Sequence, residues 1–275
     1  MLILIRKLWS FDMTIEMTGA ELSNEERIAA IESMELSDVT TRSQWRIQSL
    51  RGTADTHQSE KGESALVTGN SVLSFVGGLT PQQKQDVQDC VLFAQLATDK
   101  AFPDKKRRQE RFDFYSDVLT LCGWGATNNS IKEVTGLKQK FTMDQVALEI
   151  ISSVIGVNKV LLDIVAVVFK ALQKNPKALA LFENEASGNE SADFQILPCI
   201  GTVDGEVVMI KSAFHITSPK RITKVLFWEL SSNSVRLYAG ANNTTLNQKV
   251  YAGVRQSISD KLAYTTKKRI ERIEI

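Results

Sequence analysis

Phe194-Gln195-Ile196-Leu197-Pro198-Cys199-Ile200-Gly201-Thr202-Val203, then Asp204-Gly205, then Glu206-Val207-Val208-Met209-Ile210-Lys211-Ser212-Ala213-Phe214-His215-Ile216 is the stretch on which the fold turns. Its two arms are rich in β-branched and aromatic residues. An Asp-Gly pair between such arms favours the type I′ turn, whose twist matches that of the strands. The stretch reads as a β-hairpin. Closing it at Asp204-Gly205 pairs Val203 with Glu206, which sets Cys199 opposite Ile210 and His215 opposite Phe194. Side chains alternate between faces, so Cys199 is expected to share a face with Leu197, Val208, Ile210 and Phe214, while His215 points the other way. Pro198 has no N–H to give a ladder and implies an edge position or a bulge beside Cys199. A second hairpin is expected from Val225–Leu230 and Val235–Tyr238. Its first arm, apolar on both faces, reads as a central strand.

Upstream the period becomes helical. Thr80-Pro81-Gln82-Gln83 carries a capping box with proline in the first turn, and Val87, Cys90, Val91, Ala94 and Ala97 follow at helical spacing. A second helix places Tyr115, Val118, Leu119 and Cys122 on one stripe and stops at Gly123. A third opens at Thr142-Met143-Asp144-Gln145 and runs to about Ile155. A fourth runs from Asn158 to about Lys174, and a short fifth covers Lys177–Glu185. A last helix starts near Lys249. Helices, then strands, then a helix, with no βαβ alternation, give an α+β fold: helices packed on an antiparallel sheet formed mainly by the C-terminal third. Residues 1–79 read as an N-terminal segment with a short helix at Glu25–Met34 and a mobile linker at about 51–70, where Gly, Ser, Thr and charge dominate. Residues 80–275 read as the α+β domain.

Several function classes are disfavoured by composition. Basic and acidic residues number 33 and 32 for a formal charge of +1 over 275 residues, which argues against a general nucleic-acid partner. The basic runs Lys105–Arg108 and Lys267–Arg269 read as solvated helix ends. There is no Gly-rich phosphate loop, so no nucleotide is expected. Two histidines, His57 and His215, are too few for a zinc site without cysteines close by, so no metal is expected. Met1–Ile5 is followed, not preceded, by Arg6 and Lys7, which is not the order of a signal peptide; a cytoplasmic location follows as the expectation. The most apolar stretch, Ile150–Leu172, is interrupted by Gly156, Asn158, Lys159, Asp163 and Lys170 and reads as buried helices, short of the ~20 apolar residues of a membrane span.

Three cysteines do not make a disulfide framework. Cys90 and Cys122 lie on apolar helical stripes and read as free, buried thiols. Cys199 stands apart, since large apolar residues surround it in the strand. A nucleophile–base pair with His215 is disfavoured by the expected opposite faces and by their distance along the strands.

Cys90-Val91-Leu92-Phe93-Ala94-Gln95-Leu96-Ala97-Thr98-Asp99-Lys100, Phe114-Tyr115-Ser116-Asp117-Val118-Leu119 with Gly123-Trp124, Phe194-Gln195-Ile196 and Val225-Leu226-Phe227-Trp228 resemble, in order and spacing, the Erwinia virulence factor (Evf) family of bacterial proteins. The likeness covers roughly residues 85–275. It implies a palmitate-like fatty acyl chain held as a thioester on a central cysteine and a role in bacterial virulence and persistence in an insect gut. The likeness also implies an α/β fold. The functional reading built on it is an acylated virulence protein that contacts a membrane when the chain is released. Cys199 best matches the acylated position, with Cys90 and Cys122 left open. The expected acyl cavity is lined by Leu197, Val208, Ile210 and Phe214 from the hairpin and by Val154, Leu161 and Val165 from the apolar helices. Two alternatives stand beside it: a cysteine-dependent acyl-transfer or thioesterase-like enzyme, and a membrane-disrupting protein that uses Met143–Lys174 as an inserting hairpin. The chain names no host target.

Overall fold

The computed structural model describes residues 22–37, 48–49, 63–125, 130–155 and 159–271, with side chains described to residue 263 and not at 48–49. In chain order the elements are α1 (Asn24–Ser33), β1 (Gln48–Ser49), β2 (Ser64–Thr68), β3 (Ser71–Phe75), α2 (Pro81–Ala101), α3 (Arg108–Leu121), β4 (Lys132–Glu133) and β5 (Lys140–Phe141). Then follow α4 (Met143–Ile155), α5 (Lys159–Gln173), α6 (Pro176–Ala186), β6 (Ser191–Gly201), β7 (Val207–Thr217), β8 (Leu230–Ser231), β9 (Arg236–Leu246) and α7 (Gln248–Glu271). The fold is α+β.

Seven strands form one sheet in the order β1-β2-β3-β6-β7-β9-β4, while β5 and β8 pair apart from it. All neighbours in the large sheet are antiparallel except β3 and β6. The long strands β6, β7 and β9 come from the C-terminal third, as expected. Alternation splits each strand between two cores. Phe194, Ile196, Ile210, Phe214 and Ile216 face α4, α5 and α6. Leu197, Cys199, Val207 and Met209 face α1, α2, α3 and α7. Helices thus cover both faces of the sheet.

Helix α2 begins as its sequence requires: the Thr80 hydroxyl accepts from the Gln83 amide, and the Gln83 side chain accepts from the Thr80 amide. Arg27 of α1 donates to the Thr120 and Leu121 carbonyls at 2.7 and 3.1 Å, which satisfies the C-terminal turn of α3. Arg255 of α7 holds the fully buried Asp86 of α2 through two bonds, at 3.0 and 2.8 Å.

Three sequence expectations are corrected. Residues 64–75 form the β2–β3 hairpin, so the stretch read as a linker is strand over Ser64–Thr68; residues 51–62 lie outside the described residues. Its small polar residues misled the reading because the strand buries them: Thr68 is buried and its carbonyl accepts from Gln95, and Ser71, just beyond, is buried and donates to Gln195. Val225–Trp228 forms no strand. Val225 and Leu226 are apolar all round because that segment is a buried connection under the α4–α5 layer. Pro198 marks neither an edge nor a bulge. Strand β6 lies between β3 and β7, and its pairing resumes in unchanged register from Ile196–Ser212 to Cys199–Met209. Proline is tolerated because the ladder omits its missing donor, and the Ser212 hydroxyl donates to the Ile196 carbonyl beside the gap.

Candidate functional site

The β6–β7 turn decides which residues surround Cys199. Thr202 N–H donates to the Glu206 carbonyl at 2.9 Å, which makes the loop three residues long, Val203-Asp204-Gly205, with Gly205 at φ +80°. That register differs by one residue from a two-residue turn. Cys199 is opposite Met209, not Ile210, and His215 is opposite Asp193, not Phe194. A one-residue slip exchanges the faces. Of the expected lining residues, Leu197 alone shares the core of Cys199. Ile210, Phe214, Leu161 and Val165 belong to the core on the other side of the sheet, Val154 packs against that core, and Val208 is half-buried with the opposite parity.

Cys199 itself is wholly enclosed. Its thiol approaches the Leu197 carbonyl at 3.5 Å, and burial pushes it well above the ordinary thiol range. None of the three cavities described below is lined by Cys199. Cys90 and Cys122 are also buried and lie in this same core. His215 does share the face of Cys199, contrary to the sequence reading, but it lies six residues along β7 from Met209, about 20 Å away. The pair cannot act as nucleophile and base in this arrangement.

The face that is apolar at Cys199 becomes polar toward the other end of the sheet. Lys211 is 2% exposed and donates to Ser116 Oγ of α3 at 2.7 Å, with the Phe112 ring 5.0 Å from its ammonium. Gln95 of α2 donates to Ser71 Oγ at 2.6 Å, and Ser71 donates to Gln195 Oε1 at 3.1 Å. Next come Asp193, His215 and Tyr238, in register across β6, β7 and β9. His215 Nδ1 donates to Asp193 Oδ1 at 2.5 Å, and Tyr238 lies tilted against the imidazole at 6.1 Å between centroids. Arg108, the first residue of α3, sets its guanidinium 3.9 Å over the Tyr238 ring.

Two cavities meet at His215 and Arg108. The inner one, about 60 Å³, is bounded by Gln95, Tyr115 and Asp193 among others; Tyr115 Oη and Asp193 Oδ2 are buried there with no hydrogen-bond partner among the described residues. The outer one is an open cleft of about 760 Å³ with Lys105, Lys106, Arg108 and Arg236 on its walls and Asp104 and Glu190 opposing them. A third cavity, about 330 Å³, lies against β4, β9 and α4.

The outer surface of α5 forms a second notable region. Among the described residues the exposed large hydrophobics are Val160, Val167, Val203 and Trp228. Val160 and Val167, seven residues apart, share one face of α5. Trp228 belongs to the β7–β8 connection, which packs on the same helix layer. Phe227 meets Phe169 of α5 edge-on at 6.3 Å, and the Asp144 amide of α4 donates to the Leu226 carbonyl at 3.0 Å. Lys224 lies 4.2 Å over the Trp228 ring, and Lys220 and Arg221 are exposed just upstream. Among the described residues no helix is long and apolar enough to cross a membrane. The cleft was not read as a site from sequence, and the apolar helices were read only as an inserting hairpin, without Trp228 or the basic residues beside it. Asp193, Lys211 and His215 recur at the same strand parity, and that was the available signal.

No family model matches the chain, and no curated protein sequence does. Solved structures resemble it distantly, among them the following two. A delta-endotoxin superposes with a TM-score of 0.34 at 12% identity, over 66% of this chain and 84% of its own. The Evf virulence factor superposes with a TM-score of 0.33 at 14% identity, over 73% and 82%. Neither score is high enough to fix a shared fold. The architecture rests on the strands and helices themselves.

Proposed function

We propose that this protein acts at the surface of an anionic membrane, docking through Lys220, Arg221, Lys224 and Trp228 and lending apolar area from α4 and α5 to the bilayer interface. The observation that carries the reading is the placement of exposed apolar bulk. Among the described residues, three of the four exposed large hydrophobics lie on α5 or on the connection packed against it. Tryptophan beside lysine suits the headgroup level, where the ring is half-immersed and the amine reaches phosphate or water. Val160 and Val167 put exposed apolar area on a 15-residue helix, which is too short to span a bilayer, while the apolar stripe of that helix stays packed on the sheet. The Phe227–Phe169 and Leu226–Asp144 contacts couple the docking segment to that layer, so a pull on Trp228 is transmitted to α4 and α5. A role in bacterial virulence, implied by the sequence resemblance, is part of this proposal.

Co-sedimentation tests it. The protein should pellet with phosphatidylcholine vesicles containing phosphatidylserine and not with phosphatidylcholine alone. Each basic residue near such a surface contributes about 1 kcal/mol, so Lys220→Gln/Arg221→Gln/Lys224→Gln should weaken partitioning by about 100-fold. Equal binding to both vesicle types would reject the reading.

A second reading concerns Cys199. Its apolar neighbours Leu197, Phe75, Val207 and Met209 support a fatty acyl thioester, since such a chain is stable in an apolar surround. The acyl group would have to be attached before the core closes or replace part of its packing.

A further inference from the structure

The cleft between the α2–α3 connection and the end of the sheet has the chemistry of an anion site. Lys105, Lys106, Arg108 and Arg236 surround it, and Asp104 and Glu190 oppose them with half as many charges. Among the described residues Lys106, Arg108 and Arg236 form no ion pair with a carboxylate. Uncompensated cations gathered in one cleft repel each other, an arrangement that an anion relieves.

The cleft is also built, not a chance gathering of mobile side chains. The Lys105 ammonium is anchored on the Glu185 carbonyl at the end of α6, at 3.1 Å. Arg108 is held on the Tyr238 ring, and His215 is fixed at the cleft floor by Asp193. Arg236 is opposite Thr217, two residues along β7 from His215, so the sheet register brings it to the same face and the same end. Helix α3 opens here with Arg107 in the capping position and no side-chain cap, which adds the positive end of the helix to the cleft.

We infer that this cleft binds a phosphate group, with Arg108 and Arg236 as guanidinium clamps, Lys105 and Lys106 as ammonium partners and His215 at the floor. Planar guanidinium forks match phosphate oxygens, and a cleft of about 760 Å³ has room for a phosphate with an organic substituent. The phosphate can come from a lipid headgroup or from a soluble ester. Ser218 and Pro219, on the rim, lead directly into Lys220 and Arg221. The site goes beyond the membrane reading and does not rest on Trp228 or α5.

Calorimetric titration with inorganic phosphate, combined with vesicle binding, tests it. Vesicles of phosphatidylcholine would carry either phosphatidic acid or phosphatidylserine at matched surface charge. Wild-type protein is expected to bind inorganic phosphate, and Arg236→Gln and Lys106→Gln should each weaken that binding about 10-fold. Both residues are on the cleft wall and outside the core, which keeps the variants folded; Arg108→Gln is the stronger but riskier change. Preference for phosphatidic acid, competed by inorganic phosphate, assigns the site to a lipid phosphate. Phosphate binding without that preference supports the cleft with a soluble ester as its ligand. Phosphate binding that is absent, or unchanged in both variants, overturns the inference, even if vesicles still bind through Trp228.

Discussion

Lys211 and Ser116 join β7 to α3 through a 2.7 Å hydrogen bond in which a buried ammonium donates to a hydroxyl. Burial holds the Lys211 amine down to about 7 from its ordinary 10.5, against the opposing pull of Asp117 and Asp113. The unfolded chain keeps that proton to about 10.5 while the folded one releases it near 7. Stability therefore rises with pH between those values, and the cost of the buried charge is complete below about 7. Urea denaturation at pH 6 and pH 9 should show this rise. Lys211→Met should flatten it and stabilise the protein at pH 6 by about 1–4 kcal/mol. Equal pH slopes in the two proteins would contradict the assignment.

Asp86 is fully buried, and Arg255 is the charge that pairs it. Among the described residues, Arg255→Ala leaves that carboxylate with the Gln82 amide alone, which donates at 2.7 Å. Because Arg255 is itself partly exposed, the expected loss is about 2–3 kcal/mol, toward the low end for a broken buried pair. Asp86→Asn/Arg255→Met should recover part of it. A single variant as stable as wild type would show that α7 is held by its apolar contacts alone.

The α+β class was legible in the sequence because it needs only periods: 3.6 in α2–α6 and two in β6 and β7. The sites were less legible because they depend on register. Asp204-Gly205 reads equally as a two-residue turn or as the end of a three-residue one, and the difference moves Ile210 and Phe214 through the sheet from Cys199. Pairing of β3 with β6 is parallel and joins residues more than a hundred apart, so no local pattern announces it. The cleft takes its walls from the α2–α3 connection, the start of β6, the end of β7 and Arg236; Lys105–Arg108 alone reads as a solvated run.

The enclosed thiols give a prediction about modification. Cys90, Cys122 and Cys199 should resist a polar thiol reagent in the native state and react when the chain is unfolded. If the acyl proposal holds, protein from its native host is heavier by one acyl group, neutral hydroxylamine removes the excess, and Cys199→Ser lacks it. An unmodified mass, or an adduct that persists in Cys199→Ser, would reject that proposal.

The membrane reading makes Trp228 the reporter. Its ring is half-exposed under Lys224, whereas Trp124 is 2% exposed; Trp9 and Trp45 lie outside the described residues, so the Trp228 signal is read as the difference between wild type and Trp228→Phe. Fluorescence should be recorded with anionic vesicles whose acyl chains carry bromine near the headgroup, for wild-type protein and for Trp228→Phe. Immersion of Trp228 predicts quenching and a blue shift in the wild type that are both lost in Trp228→Phe. Wild-type emission that is unaltered by brominated vesicles, at concentrations where the protein pellets with them, would contradict the claim that this segment is what enters the membrane.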